Sequence, residues 1–187
     1  MSETVSTPLV DLPLERRRIR KQGGLAFVVC TLFIGAGILW LPRWLAFPED
    51  LTDRLAFALR ANFFVFLWLV IAVGIVSTIR RHSAEDNAGS AFSRPSSRLA
   101  IPAAFLQNTL EQVFITTTAF LALATADGEA PLAYIAASIP LFAVGRATFL
   151  RGYPKGAGYR AFGMAMTALP GLGAFIWVFV DMFAALL

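Results

Sequence analysis

Residues 99–126 read LAIPAAFLQNTLEQVFITTTAFLALATA, an apolar stretch with Gln107, Asn108, Glu111 and Gln112 near its middle. Asn108, Glu111 and Gln112 stand at i, i+3 and i+4, so on a helix they share one face. Ile115 interrupts that face, and Thr116 and Thr118 resume it more weakly. A carboxylate at mid-membrane costs about 2.5–3.5 kcal/mol even on the lenient insertion scale. Glu111 is therefore expected to find a partner inside a helical bundle. Arginine is the partner its chemistry favours.

The candidate arginines cluster at the ends of other apolar stretches. Arg146, Phe149 and Tyr153 are spaced i, i+3 and i+7, again one helix face. Arg160 opens the last stretch, and Arg80 with Arg81 closes the second. Guanidinium groups at one end of a bundle, with an amide and a carboxylate deeper in, form a cradle suited to an anionic, polar ligand. The same arginines serve equally as interfacial anchors. Asn108 and Glu111 serve equally as polar glue between helices. Residue chemistry alone leaves both readings open.

Other reactive residue types are sparse. Cys30 lies in an apolar run, where it reads as a packing residue. His82 stands beside arginines. No spacing of His, Cys and Asp resembles a metal site, and one cysteine makes no intrachain disulfide.

Positioning these groups requires membrane spans. Of the 187 residues, 57% are hydrophobic and only 15% charged, with a mean hydropathy of +0.67. A soluble domain of this size lacks the interior to bury so much apolar surface, so much of it must face lipid. Five stretches are long enough or nearly so: residues 25–41 (or on to 47), 61–79 (or from 55), 99–126, 131–145 and 161 onward. The fourth spans a bilayer only if its helix continues past Arg146 toward Tyr153. Asp127-Gly128-Glu129 predicts a tight turn between antiparallel spans. Residues 82–97 read as an irregular polar loop, and residues 1–13 as poorly ordered.

Thirteen of the sixteen basic residues fall before the first span, between the second and third, and between the fourth and fifth. Five spans place all three segments on one side, which predicts a cytoplasmic N-terminus and an external C-terminus. The rival count is four spans, with the first segment lying in the interface. No signal peptide is expected, since Pro42-Arg43 stands where a small-residue cleavage site would be. The net charge of +4 thus reads as topology, and no nucleic-acid partner is needed to explain it. A bacterial inner membrane fits the charge bias.

Two motifs carry a family resemblance. QNTLEQ, from Gln107 to Gln112, places an asparagine three residues before a glutamate within a span. GRATFLRGYPKGAGYR, from Gly145 to Arg160, has arginine, aromatic, glycine-tyrosine and arginine in order; Arg80-Arg81 is a weaker third match. The chain resembles the MAPEG superfamily, the membrane-associated proteins of eicosanoid and glutathione metabolism, over about residues 61–187. The resemblance implies an all-α integral membrane bundle: a four-helix core over residues 55–187, usually a homotrimer. An extra N-terminal transmembrane helix over residues 25–47 and a basic cytoplasmic leader over residues 1–24 precede it.

The resemblance also implies glutathione bound between protomers near the cytoplasmic side. Asn108, Glu111, Arg146, Tyr153 and Arg160 would hold it, and Arg81 would stabilise its thiolate for attack on a hydrophobic electrophile. The chain departs from the pattern at Ala104, where an arginine is common, at Gln112, where tyrosine is common, and at Phe149, which lacks a hydroxyl. The implied activity is a glutathione-dependent transferase or peroxidase. The alternative is a non-catalytic membrane binding or scaffold protein of the same fold. A small transporter is disfavoured, because no inverted repeat or paired broken helices can be read.

Overall fold

The computed structural model describes residues 10–92 and 94–184. Five long helices follow one another: α1 Leu12–Trp40, α2 Leu51–Arg81, α3 Ser97–Leu123, α4 Ala130–Gly152 and α5 Ala157–Ala184. Short 3-10 turns at Leu41–Arg43 and Tyr153–Lys155 follow α1 and α4. Among the described residues there is no β-structure. The chain is an all-α membrane bundle.

Local sequence sets the helix starts. Asp11 accepts from Leu14 N (3.1 Å) with Pro13 in the first turn, Asp50 accepts from Thr52 N (2.9 Å), and Ser96 accepts from Leu99 N (3.2 Å). Each caps a helix by satisfying an orphan N–H. The first cap moves a boundary. The first span is expected from residue 25, yet α1 begins at Leu12, so Arg16–Lys21 form part of the same helix that enters the membrane. Arginine and lysine are good helix formers, and nothing between Asp11 and Leu25 breaks the helix except two glycines that cost little beside a propagating helix. The expected disorder of residues 1–13 lies outside the described residues for 1–9; beyond Asp11 the chain is helical. In the fourth element the helix does continue past Arg146, to Gly152.

Four helices, α1, α2, α4 and α5, are long and apolar enough to cross a bilayer. The 27-residue α3 matches them in length, about 40 Å at 1.5 Å per residue. Its lower apolarity follows from Gln107, Asn108, Glu111 and Gln112. It packs chiefly against α2 and α5. The Gly128 turn (φ +79°) makes α3 and α4 antiparallel as expected, yet these two helices touch only lightly. The central element is α4, which packs on α5, α1 and α2 and buries Leu132, Ile135, Leu141, Phe142 and Arg146.

Helix–helix contact in lipid depends on close backbone approach. Gly145 of α4 and Gly163 of α5 supply it. A Cβ on Gly145 would stand 2.6 Å from the Thr167 methyl and 3.0 Å from the Gly163 carbonyl oxygen. The two helices therefore meet backbone to backbone one residue from Arg146. Outside, Phe63, Phe64, Val70, Phe114, Ile176 and Phe179 are exposed, as a lipid-facing surface requires.

Connectivity gathers one end of every helix. The N-termini of α1, α3 and α5 and the C-termini of α2 and α4 share the end that carries the three basic segments. The opposite end is closed by Arg54. Its guanidinium donates to the carbonyl oxygens of Ala124 (3.0 Å), Gly128 (2.8 Å), Pro48 (3.2 Å) and Ala126. It thus satisfies the orphan carbonyls after α3 and ties the α3–α4 turn to the segment before α2.

Candidate functional site

Arg146 of α4 is wholly buried. Its Nη1 donates to Asn108 Oδ1 at 2.9 Å and its Nη2 to Thr167 Oγ1 at 2.6 Å. The guanidinium carbon lies 4.7 Å from the Phe149 ring centre and 5.8 Å from that of Phe142. A buried guanidinium is thus met by an amide oxygen, a hydroxyl and two ring faces, while its Nε has no partner among the described residues. Guanidinium has only donors, so the Asn108 amide must turn its oxygen inward. Its Nδ2 hydrogens are left for the other side.

That other side is a cleft of about 320 Å³ at the basic end of the bundle. Asn108 and Ala104 line it from α3, Phe149 and Tyr153 from the end of α4, and Arg160 with Met164 from α5. Arg160 places its guanidinium 4.2 Å from the Tyr153 ring centre. Tyr153 in turn meets Phe149 edge to face at 5.5 Å, and Phe149 meets Phe105 at 6.2 Å. The stack fixes the direction of Arg160 without using its N–H groups, which stay available to an anion.

The structure therefore brings Asn108, Tyr153 and Arg160 to one cleft and sets Arg146 behind Asn108 rather than on the cleft surface. It does not bring Glu111 or Arg81 there. The expected arginine partner of Glu111 is replaced by Gln107, whose Nε2 donates to Glu111 Oε1 at 2.9 Å on the exposed side of α3. Asn108 is the α3 side chain that reaches the buried guanidinium, and Glu111 points off the single chain. Arg81 is exposed at the last residue of α2. The departures have consequences: Ala104 contributes only a methyl to the cleft, and Phe149 lines it with an aromatic ring that carries no hydroxyl. Gln112 is buried with Oε1 unpartnered among the described residues.

Three residues that shape this end of the bundle escape a reading of motifs. Thr167 is one turn beyond the glycine that lets α5 approach α4, and only that approach reveals it. Ile19 lines the cleft from α1, an apolar residue hidden in an arginine-rich run. Asp86 organises the loop at the same end of the bundle. It accepts from Ser96 N (2.9 Å), Ser96 Oγ (2.7 Å) and Ser83 Oγ (2.8 Å). These bonds, the Ser96 backbone N–H first, hold its carboxyl below the usual range against the opposing effect of burial, and the Arg80 charge adds to them.

Chemically, the site offers a guanidinium and an amide donor beside aromatic faces, with a second positive charge buried behind. This suits a ligand with a carboxylate and an apolar part. The MAPEG family model matches residues 55–180, about two thirds of the chain. The match covers α3, α4 and most of α2 and α5, and α1 lies before it. No curated protein and no solved structure matches the chain.

Proposed function

The chain belongs to the MAPEG family, and from that premise we propose that it is a membrane-bound glutathione-dependent transferase or peroxidase acting on a hydrophobic electrophile. The observation that carries this reading is the cleft where Asn108, Tyr153 and Arg160 meet, backed by Arg146. Glutathione bears two carboxylates, an ammonium and a thiol. Arg160 takes a carboxylate as a fork, and the Asn108 Nδ2 donates to a peptide or carboxylate oxygen. Arg146 contributes through Asn108 and through its charge.

Glu111 and Arg81 lie outside their own chain's cleft. In a homotrimer they reach glutathione across the interface with a neighbour. Glu111 there meets the ammonium, and Arg81 favours thiolate over thiol by offsetting the desolvation of the anion. The thiolate then attacks the electrophile; a C–S bond forms as the leaving group departs with its electron pair. The membrane is a bacterial inner membrane, with the basic end of the bundle cytoplasmic.

The methyl of Ala104 and the ring of Phe149 in the cleft favour a second reading, a non-catalytic binding or scaffold protein of the same fold. One experiment separates the two. Glutathione is titrated into the purified protein in detergent while ultraviolet absorbance of the thiolate is followed, with Arg81→Ala and Arg160→Ala as comparisons. Thiolate formation that Arg81→Ala abolishes supports the transferase. Binding without thiolate supports the scaffold, and no binding rejects glutathione as the ligand.

A further inference from the structure

We infer that the helix preceding the family core is part of the site: Glu15 of α1 is a positioning residue that caps α5 and sets Arg160, and Ile19 is a wall of the cleft. This rests on the reading of that cleft as a ligand site.

Helix α5 lacks a side-chain cap of its own. The residue before α5 is Gly156 (φ +108°), which has no side chain to satisfy the first N–H groups of the helix. The cap comes instead from 143 positions away. Gly158 N donates to Glu15 Oε2 at 2.6 Å. A carboxylate there is a charge-assisted acceptor placed at the positive end of the helix dipole. Glu15 is itself held by Arg18, one turn further along α1, at 3.3 Å. The Arg18 guanidinium lies 5.2 Å from the ring centre of Tyr159. So α1 grips residues 158 and 159 directly, and the next residue is Arg160.

Local sequence is matched to this grip. A Cβ on Gly158 would stand 2.7 Å from Arg18 Cβ and 2.8 Å from Glu15 Oε2, so any larger residue displaces the carboxylate. One turn after Glu15, Ile19 faces the cleft beside Ala157, Arg160 and Ala161. Arg16, Arg17, Arg20 and Lys21 are exposed, as an anchoring leader requires. A leader that only anchors has no use for an inward-facing acid and an apolar wall one turn apart.

The test uses the full chain in detergent, with glutathione as the probe. Glu15→Ala is expected to weaken glutathione binding about tenfold, the scale of one lost charged cap. It is also expected to raise amide exchange at residues 158–161. Glu15→Gln keeps an acceptor oxygen and restores part of both. The double variant Glu15→Ala with Arg160→Ala should bind no more weakly than Arg160→Ala alone, because Glu15 acts through Arg160. Ile19→Trp fills the cleft and should weaken binding without changing exchange in α5. Additive losses in the double variant, or unchanged binding in Glu15→Ala, overturn the inference. If the wild type binds no glutathione, the transferase reading fails separately. The exchange arm then decides: lost protection at residues 158–161 upholds the Glu15 cap, and unchanged protection overturns it.

Discussion

Arg146 Nη1 donates to Asn108 Oδ1 at 2.9 Å, and this bond joins the most buried charge of α4 to the polar face of α3. With Thr167 the pair links three helices through one guanidinium. Removing a partner and removing the charge should have different effects. Asn108→Leu leaves a buried guanidinium short of an acceptor and should cost about 1.5–3 kcal/mol, the range for hydrogen bonds to charged groups. Arg146→Met removes the charge together with its demand for partners and should cost less. Thermal unfolding in detergent compares them. A larger loss for Arg146→Met would show that the network stabilises the bundle more than its charge burdens it.

Arg54 makes a complementary prediction at the other end. One guanidinium serves four carbonyl oxygens at once. An ammonium is a compact point charge without that planar fork. Arg54→Lys should therefore behave much like Arg54→Ala, each losing about 3 kcal/mol with raised amide exchange across residues 124–129. Full rescue by lysine would reduce the role of Arg54 to its charge.

Asp86 predicts a pH dependence at the loop between α2 and α3. Its carboxyl is held below its ordinary value chiefly by the Ser96 N–H. A depressed folded value means that its contribution is fully present above the unfolded value, near 3.9, and is lost as pH falls through the lower folded value. Protection of the Ser96 amide, corrected for intrinsic exchange, should stay flat from neutral pH down to about pH 5. It should fall only under stronger acid. Asp86→Asn should show reduced protection at neutral pH and little further change on acidification. A wild-type loss centred near neutrality would point to another group.

These cases show which parts of the molecule were readable in the sequence. Helices α1, α2, α4 and α5 were readable as spans because apolar runs and basic segments alternate, and the continuation of α4 past Arg146 followed from bilayer thickness. The start of α1 was not, because five basic residues look like a solvated leader until Asp11 is recognised as a cap. Asn108, Tyr153 and Arg160 were found by motif and do share a cleft. The pairing of Arg146 with Asn108 rather than Glu111 depends on which α3 side chain faces inward, which spacing alone does not decide. Arg54 and Asp86 were hidden for a related reason. Their partners are backbone groups and serines that only the folded chain places around them. Arg54 did leave one trace, as a basic residue on the side where basic residues are scarce.

The exposed face of α3 ties Glu111 to assembly. Glu111 and Gln107 bond to each other on a side that none of the described helices of the same chain covers. A carboxylate facing lipid near the middle of a span costs about 2.5–3.5 kcal/mol. A single chain in a bilayer carries that penalty, whereas a homotrimer with α3 against its neighbour removes it. Glu111→Leu abolishes the penalty for the isolated chain and should let monomers accumulate in nanodiscs under conditions where the proposed wild-type trimer would assemble. Mass measurement of the intact particles gives the answer directly. A monomeric wild type would remove the trimer, and with it the route by which Glu111 and Arg81 reach a neighbour's glutathione. An unchanged trimer in Glu111→Leu would instead place the assembly energy in apolar contacts elsewhere on the lipid-facing surface.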